Sequence, residues 1–334
     1  MSDSGESDTL VAKRAMVDLT GGFGVDFSYL ARGFSQATYV ERQRHLCELA
    51  EHNMAALGLD QARIVCSDGV EYLSQMDPVD FIYLDPARRD EHGSRTYAIE
   101  DCTPNVLELR DLLLAKSRFT LVKLSPMLDW RKAVVDFDGA VREVHIVATG
   151  NECKELLLVL GRPAQANARD SVDGAGSYQR LAPHVFCMND DQRIDYDSAK
   201  YTQGLRIGGK PLPDAKRYLY EPNASIMKAG CFDLVEERFG VTQIGPSSHL
   251  FVSEQQIADF PGRGFAIEAV GSMNKKDTKR LLNGVKQANI AVRNFPLTAP
   301  QLRKKLKLAD GGTVYLFGTT MQGGGHVLLR TSKI

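Results

Sequence analysis

The feature that most constrains this chain is an alternation running from Ala15 to Leu160. Short apolar runs rich in Val, Ile, Tyr and Phe take turns with longer segments whose apolar residues recur at three-to-four spacing. The runs are AMVDL (15–19), ATYVE (37–41), RIVC (63–66), VDFIYLD (79–85), FTLVKL (119–124) and EVHIVA (143–148), and they predict strands. The segments RQRHLCELAEHNMAALG (42–58), GVEYLSQM (69–76), TPNVLELRDLLLAK (103–116) and DWRKAVVDF (129–137) predict helices, the first stopped by Gly58. Strands alternating with helices form a parallel sheet with right-handed crossovers. The alternation breaks once: CKELLLVLG (153–161) follows EVHIVA after only TGNE, too short for a helix. The last two strands are therefore expected to form an antiparallel hairpin, giving a Rossmann-like α/β sheet of seven strands.

This domain is expected over 15–162, behind a polar tail at 1–14. The stretch RPAQANARDSVDGAGSYQ (162–179) carries almost no large apolar side chain and reads as a linker. HVFCM (184–188) and RIDYD (193–197) suggest a small hairpin, so 163–210 is assigned as linker and hairpin. From 211 to 334 the pattern changes to a smaller α+β domain. Its expected helices are SIMKAGCFDLVEERFG, KKDTKRLLNGVKQ and APQLRKKLKL; its expected strands are HLFVS, GFAIEAVG, ANIAVRNF, GTVYLFGTT and GHVLLRT. No internal repeat is visible.

An apolar fraction of 43% with 25% charged residues is that of a soluble globular protein, and no stretch approaches the roughly 18 apolar residues of a membrane helix. The start MSDSGESDTL has no signal-peptide pattern, so a cytoplasmic location is expected. The six cysteines are scattered, without CxxC or a Cys/His cluster, which predicts reduced thiols and no metal site. The net charge of -1 conceals an asymmetry. From Pro211 onward 17 Lys and Arg face 10 Asp and Glu, whereas the remainder has 24 against 32. Such separation points to an anionic partner for the C-terminal part. The runs KKDTKR (275–280) and RKKLK (303–307) are its strongest candidates, through Lys275, Lys276, Arg303 and Lys304; either run alone could be a solvated helix face.

In the first domain, the opening strand runs into DLTGGFGVD (18–26). Gly21, Gly22 and Gly24 allow a tight turn and close approach to a ligand, although the spacing lacks the third glycine of a dinucleotide loop. Glu41 ends the second strand, where a carboxylate can hold two ribose hydroxyls. Asp68 follows the third strand and could accept from an exocyclic amine such as adenine's, or simply cap the helix opening at Gly69. Asp85 ends the fourth, in YLDPARRDEHGSRTY (83–97). Ligands of open α/β sheets bind at the carboxyl ends of the strands, so Asp18, the glycines, Glu41, Asp68 and Asp85 should converge on one crevice.

An acid before Gly-Gly-x-Gly, acids after strands two to four and a terminal antiparallel hairpin together resemble class I S-adenosylmethionine-dependent methyltransferases. VDLTGGFGVD, YLDPARRD, VKLSPMLDW, ECKELLL, YEPNASIMKAG and RNFPL with QLRKKLKLADGG resemble, more narrowly, a bacterial methyltransferase family with a C-terminal THUMP-like domain. The resemblance implies S-adenosylmethionine as cofactor, held by Asp18, Thr20, Gly21, Gly22, Gly24, Glu41, Arg42, Asp68 and Gly69. THUMP domains proper accompany RNA-modifying enzymes, which implies an RNA substrate, a tRNA or rRNA base.

The Asp-Pro loop resembles that of amino-group methyltransferases but has Ala87 and Arg88 where those have proline and an aromatic. It also resembles the loop of 5-methyluridine methyltransferases, yet their cysteine nucleophile aligns with Leu124 in KLSP (123–126), so covalent chemistry is not expected. Direct transfer to nitrogen or oxygen remains, with Asp85, Pro86 and Arg88 forming the catalytic loop and no metal required. Arg88 and Arg89 could bind phosphate or stack on a base, or form salt bridges with Asp90, Glu91 or Asp101. Lys123 and Ser125 are further candidates on the substrate side. Asn151, Glu152 and Cys153 lie at the final hairpin turn, which needs polar residues in any case. Two other functions are consistent with parts of the sequence: a non-catalytic RNA-binding or assembly factor retaining a vestigial cofactor pocket, and a nicotinamide dehydrogenase, which the glycine spacing disfavours. Only about 14 residues precede the first strand, so a helical cap over the site is expected to be absent from this chain or to have been removed.

Overall fold

The computed structural model describes residues 14–87, 99–162, 182–201 and 217–334. In chain order, the first seven strands are β1 (Ala15–Asp18), β2 (Gln36–Glu41), β3 (Ala62–Cys66), β4 (Val79–Leu84), β5 (Ser117–Leu124), β6 (Val141–Thr149) and β7 (Glu152–Gly161). β1 lies between β2 and β4, parallel to both. Its last three residues are buried, as the centre of a sheet covered on both faces requires. β3 extends the sheet beyond β2, and β5 extends it beyond β4, again in parallel. β7 then runs antiparallel to β5, as the short TGNE connection demanded.

The sheet does not stop at seven strands. The hairpin expected near 184–197 forms as β8 (His184–Asn189) and β9 (Gln192–Asp197), and these strands continue the sheet beyond β6. The order is β3-β2-β1-β4-β5-β7-β6-β8-β9. A strand added at an exposed edge satisfies that edge's unpaired backbone groups. By its contacts the chain divides into two compact units, 1–145 with 154–186 and 146–153 with 187–334.

Among the described residues of the first unit the crossover helices are α1 (Val25–Leu30), α2 (Arg44–Ala56), α3 (Gly69–Gln75), α4 (Arg110–Lys116) and α5 (Trp130–Asp136). The apolar face of α2, with Cys47, Ala50 and Met54, packs on Met16, Ala37 and Tyr39, and Phe27 of α1 meets the Tyr39 ring edge-on at 5.6 Å. The helix expected from Thr103 begins only at Arg110. Thr103 exchanges both backbone hydrogen bonds with Ala87, at 2.8 and 3.0 Å, and so cannot enter a helix.

The second unit carries a seven-stranded sheet built from β10 (Tyr218–Pro222), β11 (Thr242–Gln243), β12 (Phe251–Ser253), β13 (Gly262–Gly271), β14 (Asn289–Arg293), β15 (Val314–Thr320) and β16 (His326–Lys333). Its order is β11-β12-β10-β13-β16-β15-β14. The long helix expected over SIMKAGCFDLVEERFG is two helices, α6 (Ala224–Ala229) and α7 (Phe232–Phe239), because Gly230 takes a left-handed φ of 66° and ends the first. α8 (Lys275–Leu281) and α9 (Ala299–Leu306) cover a core of Leu281, Leu302, Leu316 and Leu328. Among the described residues no helix is long and apolar enough to cross a membrane.

Candidate functional site

The carboxyl ends of β1 to β4 open into a cleft of about 710 Å3, within the usual size of small-molecule sites. Asp18, Asp26, Glu41, Asp68, Asp85 and Glu108 line it, against one lining arginine, Arg42. The cleft is therefore acidic. Among the described residues no cysteine lines it, and none of the His, Cys, Asp and Glu groups is arranged to hold a metal ion.

The glycine loop is built around Tyr39. A methyl group on Gly21 would stand 2.2 Å from the Tyr39 ring, so only glycine lets the loop lie on it. Gly22 and Gly24 take left-handed φ values of 54° and 74°. The Tyr39 hydroxyl donates to the Gly22 carbonyl. Glu41 accepts from the Gly22 amide at 3.0 Å through one oxygen and from the Gln43 amide at 2.9 Å through the other. Each carboxylate oxygen has a second lone pair, so both can still accept from a ligand hydroxyl. Gly69 is equally constrained, because a side chain there would strike the Leu19 carbonyl at 2.2 Å.

Asp18 is 1% exposed and accepts from the Thr20 amide at 2.9 Å and the Thr20 hydroxyl at 3.4 Å. That hydroxyl accepts in turn from the Asp85 amide at 2.7 Å, which ties the ends of β1 and β4 together. Burial, only partly offset by the Thr20 hydrogen bonds and reinforced by Asp26 and Asp85, pushes the Asp18 carboxyl from an ordinary 3.8 up to about 7. Asp68 caps α3, accepting from Val70 at 2.8 Å and Glu71 at 3.1 Å, and it also lines the cleft.

Sequence reasoning missed a charge network on the Asp85 side. Asp26 accepts from the Tyr83 hydroxyl at 2.6 Å and from Lys123 Nζ at 2.9 Å; Lys123 also stands 3.2 Å from Asp85 and 4.0 Å from Glu155. Burial opposes the Lys123 charge, but these acids prevail and push it up to about 12. Burial also works on Asp26 in the opposite sense, and its two donors hold it below the usual carboxylate range. Lys123 thus joins two lining acids. The only sequence signals were the acid closing DLTGGFGVD and the tyrosine of YLDP.

The remaining expected site residues disperse. Pro86 is buried and Ala87 lines the cleft, while Arg88 and Arg89 lie outside the described residues. Ser125 is buried, its hydroxyl accepting from the Met127 amide at 3.3 Å. Lys275, Lys276 and Lys304 are exposed in the second unit, but Arg303 is paired with Asp310 at 2.5 Å.

Comparison with known proteins agrees with this architecture. Residues 218–261 match a ferredoxin-like domain family and residues 262–333 a THUMP domain-like family. A crystal structure of a proposed methyltransferase from Porphyromonas gingivalis W83 is 34% identical, covers 96% of this chain and 77% of its own, and superposes with a TM-score of 0.80. More distant likenesses include an S-adenosylmethionine-dependent methyltransferase from Agrobacterium tumefaciens, at 18% identity over 46% of this chain and 57% of that one, TM-score 0.34. An rRNA methylase from Streptococcus thermophilus aligns at 15% identity over 46% and 88%, also with a TM-score of 0.34. No curated protein matches. The first unit has the class I methyltransferase fold. The chain belongs to the family of the Porphyromonas protein, in which that fold is joined to a C-terminal THUMP-like domain.

Proposed function

We propose that the chain is an S-adenosylmethionine-dependent methyltransferase acting on an RNA base by direct transfer, without a cysteine nucleophile. The observation that carries this reading is the convergence of Asp18, Glu41, Asp68 and Asp85 on one acidic cleft. Its donor set fits the cofactor: Glu41 for the ribose hydroxyls, Asp68 for the adenine amine, and an excess of carboxylates suited to a ligand bearing a sulfonium and an ammonium. Thr20, Gly21, Gly22, Gly24, Arg42 and Gly69 complete the cofactor wall. When bound, the cofactor supplies an electrophilic methyl group.

The chain's own contribution is positioning. Asp85 accepts a hydrogen bond from the acceptor nitrogen or oxygen and takes its proton, and Lys123 holds that carboxylate in place. With no cysteine lining the cleft among the described residues, and buried Leu124 at the place of that nucleophile, the acceptor attacks directly. An RNA acceptor is supported by the THUMP-like match and by the basic excess beyond Gly262, where 13 basic residues face 3 acidic ones.

The test is isothermal titration with S-adenosylhomocysteine beside Asp18→Ala and Glu41→Ala, followed by methyl incorporation into bulk RNA beside Asp85→Ala. Micromolar binding weakened by the first two variants, with transfer lost but binding kept in Asp85→Ala, is the expected result. Absence of binding at millimolar ligand would overturn the cofactor assignment. Binding without transfer to any RNA would favour the non-catalytic factor.

A further inference from the structure

Two of the motifs that single out this chain, YEPN and RNFPL, play no part in the cleft, yet they meet. Glu221 of the first, on β10, is 3% exposed. One of its oxygens accepts from Arg263 Nε at 3.0 Å and also from that guanidinium's Nη2. The other accepts from Nη2 of Arg293, the arginine of RNFPL, at 2.7 Å across 72 residues of sequence. Arg263 is the direct cross-strand partner of Glu221 in the β10–β13 ladder, and Arg293 closes β14. The loop between β11 and β12 completes the cluster: Asn294 donates to the Pro246 carbonyl at 2.8 Å, and His249 stacks on Phe232 with ring centres 4.5 Å apart.

Three properties distinguish this cluster from an ordinary ion pair. Its charge is unbalanced, since two guanidiniums share one carboxylate. The burial is one-sided: the Glu221 side chain is 4% exposed, whereas those of Arg263 and Arg293 are 47% and 39% exposed. The carboxylate sits beneath two partly exposed arginines and fixes the orientation of their planar guanidiniums; on Arg293, Nη1 also donates to the Val292 carbonyl at 3.2 Å and Nε is buried without a hydrogen-bond partner. The third is backbone strain around it. Ser247, His249 and Asn294 all take left-handed φ, at 53°, 52° and 47°, and such non-glycine residues gather where a ligand is held. By contrast, the basic helices offer exposed lysines, and their Arg303 is already paired with Asp310.

We infer that the Arg263–Glu221–Arg293 cluster is an anion site in the second unit that takes a backbone phosphate of the RNA substrate. This rests on the RNA reading of the proposed function, not on its cofactor. Glu221 is a positioning residue, and the arginines are the contacts.

The experiment is fluorescence anisotropy with a labelled single-stranded oligoribonucleotide and no cofactor, from 50 to 300 mM salt. It compares the full chain with Arg263→Gln/Arg293→Gln, Arg293→Lys and Lys275→Ala/Lys276→Ala. Loss of the one phosphate contact this site makes should reduce the salt slope of log K by about 0.7, the value per phosphate for a single strand. Arg293→Lys, which keeps the charge but loses the fork, should keep the slope and weaken binding. S-adenosylhomocysteine titration of each variant reports whether the first unit is intact, and the circular dichroism melt whether the second is folded. An unchanged slope in a folded double-glutamine variant overturns the proposal, as does loss of slope only in the lysine variant. Competition by inorganic phosphate or AMP as strong as by the oligonucleotide would assign the site to a free anion and overturn the RNA assignment. If the cofactor fails to bind while the arginine variants lose RNA, the anion site stands and the methyl-transfer reading falls.

Discussion

Replacing Asp18 by asparagine should stabilise the ligand-free protein, and should do so only above acidic pH. Asp18 is fully buried, and its ordinary value of 3.8 is raised to about 7. In the unfolded chain it therefore ionises near pH 4, whereas the native state keeps its proton to about pH 7. Between those values the native state binds one proton more than the unfolded state, so stability falls as pH rises. At roughly 1.4 kcal/mol per tenfold change in proton affinity, the full loss is about 4 kcal/mol, of which about 3 kcal/mol falls between pH 5 and 8.5. In Asp18→Asn the amide oxygen still accepts from Thr20, and the titration is gone. The variant should match the parent near pH 4 and exceed it progressively to pH 8. Urea denaturation read at the single tryptophan is the assay, because Trp130 is buried in α5 of the same unit. A stability difference between variant and parent that does not change with pH would refute the reasoning. Ligand binding gives a second readout of opposite sign. A cationic ligand favours ionised Asp18, so affinity for S-adenosylmethionine should rise about tenfold from pH 6 to 8.

Three further substitutions probe the same cleft. Gly21→Ala places a methyl group 2.2 Å from the Tyr39 ring and should cost about 1–3 kcal/mol by thermal melting; Gly33→Ala, with nothing within 4 Å, is the neutral control. Asp68→Ala should lose about 1 kcal/mol of helix capping and Asp68→Ser little of it. Equal loss of S-adenosylhomocysteine affinity in both would show that the carboxylate contacts the ligand, and retention in the serine variant that it only caps. Lys123→Met leaves Asp26 and Asp85 without their cation and should cost about 1–3 kcal/mol at pH 7. Asp26 is held below its ordinary value, so the stability it gains from Lys123 is present above pH 4 and lost below it. The deficit of Lys123→Met should accordingly shrink as pH falls through 4, which chemical denaturation at pH 3 and 7 would measure.

Much of the first sheet was legible because its information is local. The period-two and three-to-four patterns of residues 15–161 mark each element, and TGNE marks the single reversal. Asp18, Glu41, Asp68 and Asp85 could be placed in one crevice because strand ends in a parallel sheet share an edge. What was not legible depends on distant pairing. No local signal says that β8 will extend the first sheet, or that Thr103 will pair with Ala87 instead of opening a helix. Lys123 and Asp26 are 97 residues apart. YLYEP was not read as a strand although it is one, and the Glu221–Arg293 contact needs both β10 and β14 in place.

The charge distribution imposes a requirement on any nucleic-acid acceptor. Six carboxylates line the cleft against one arginine, so a phosphodiester backbone approaching it meets repulsion that is only partly screened within the ~10 Å Debye length of 0.1 M salt. The same field favours a cationic ligand. An RNA acceptor can therefore present a base to the cleft only if its phosphates are neutralised elsewhere on the protein. On the proposed reading, the carboxylates that suit the cleft to a sulfonium would also make a separate cationic surface necessary, and the excess of basic residues lies in the other part of the chain. Methyl transfer to a free nucleoside should then be insensitive to Arg263 and Arg293, whereas transfer to an oligonucleotide should depend on both and weaken with salt.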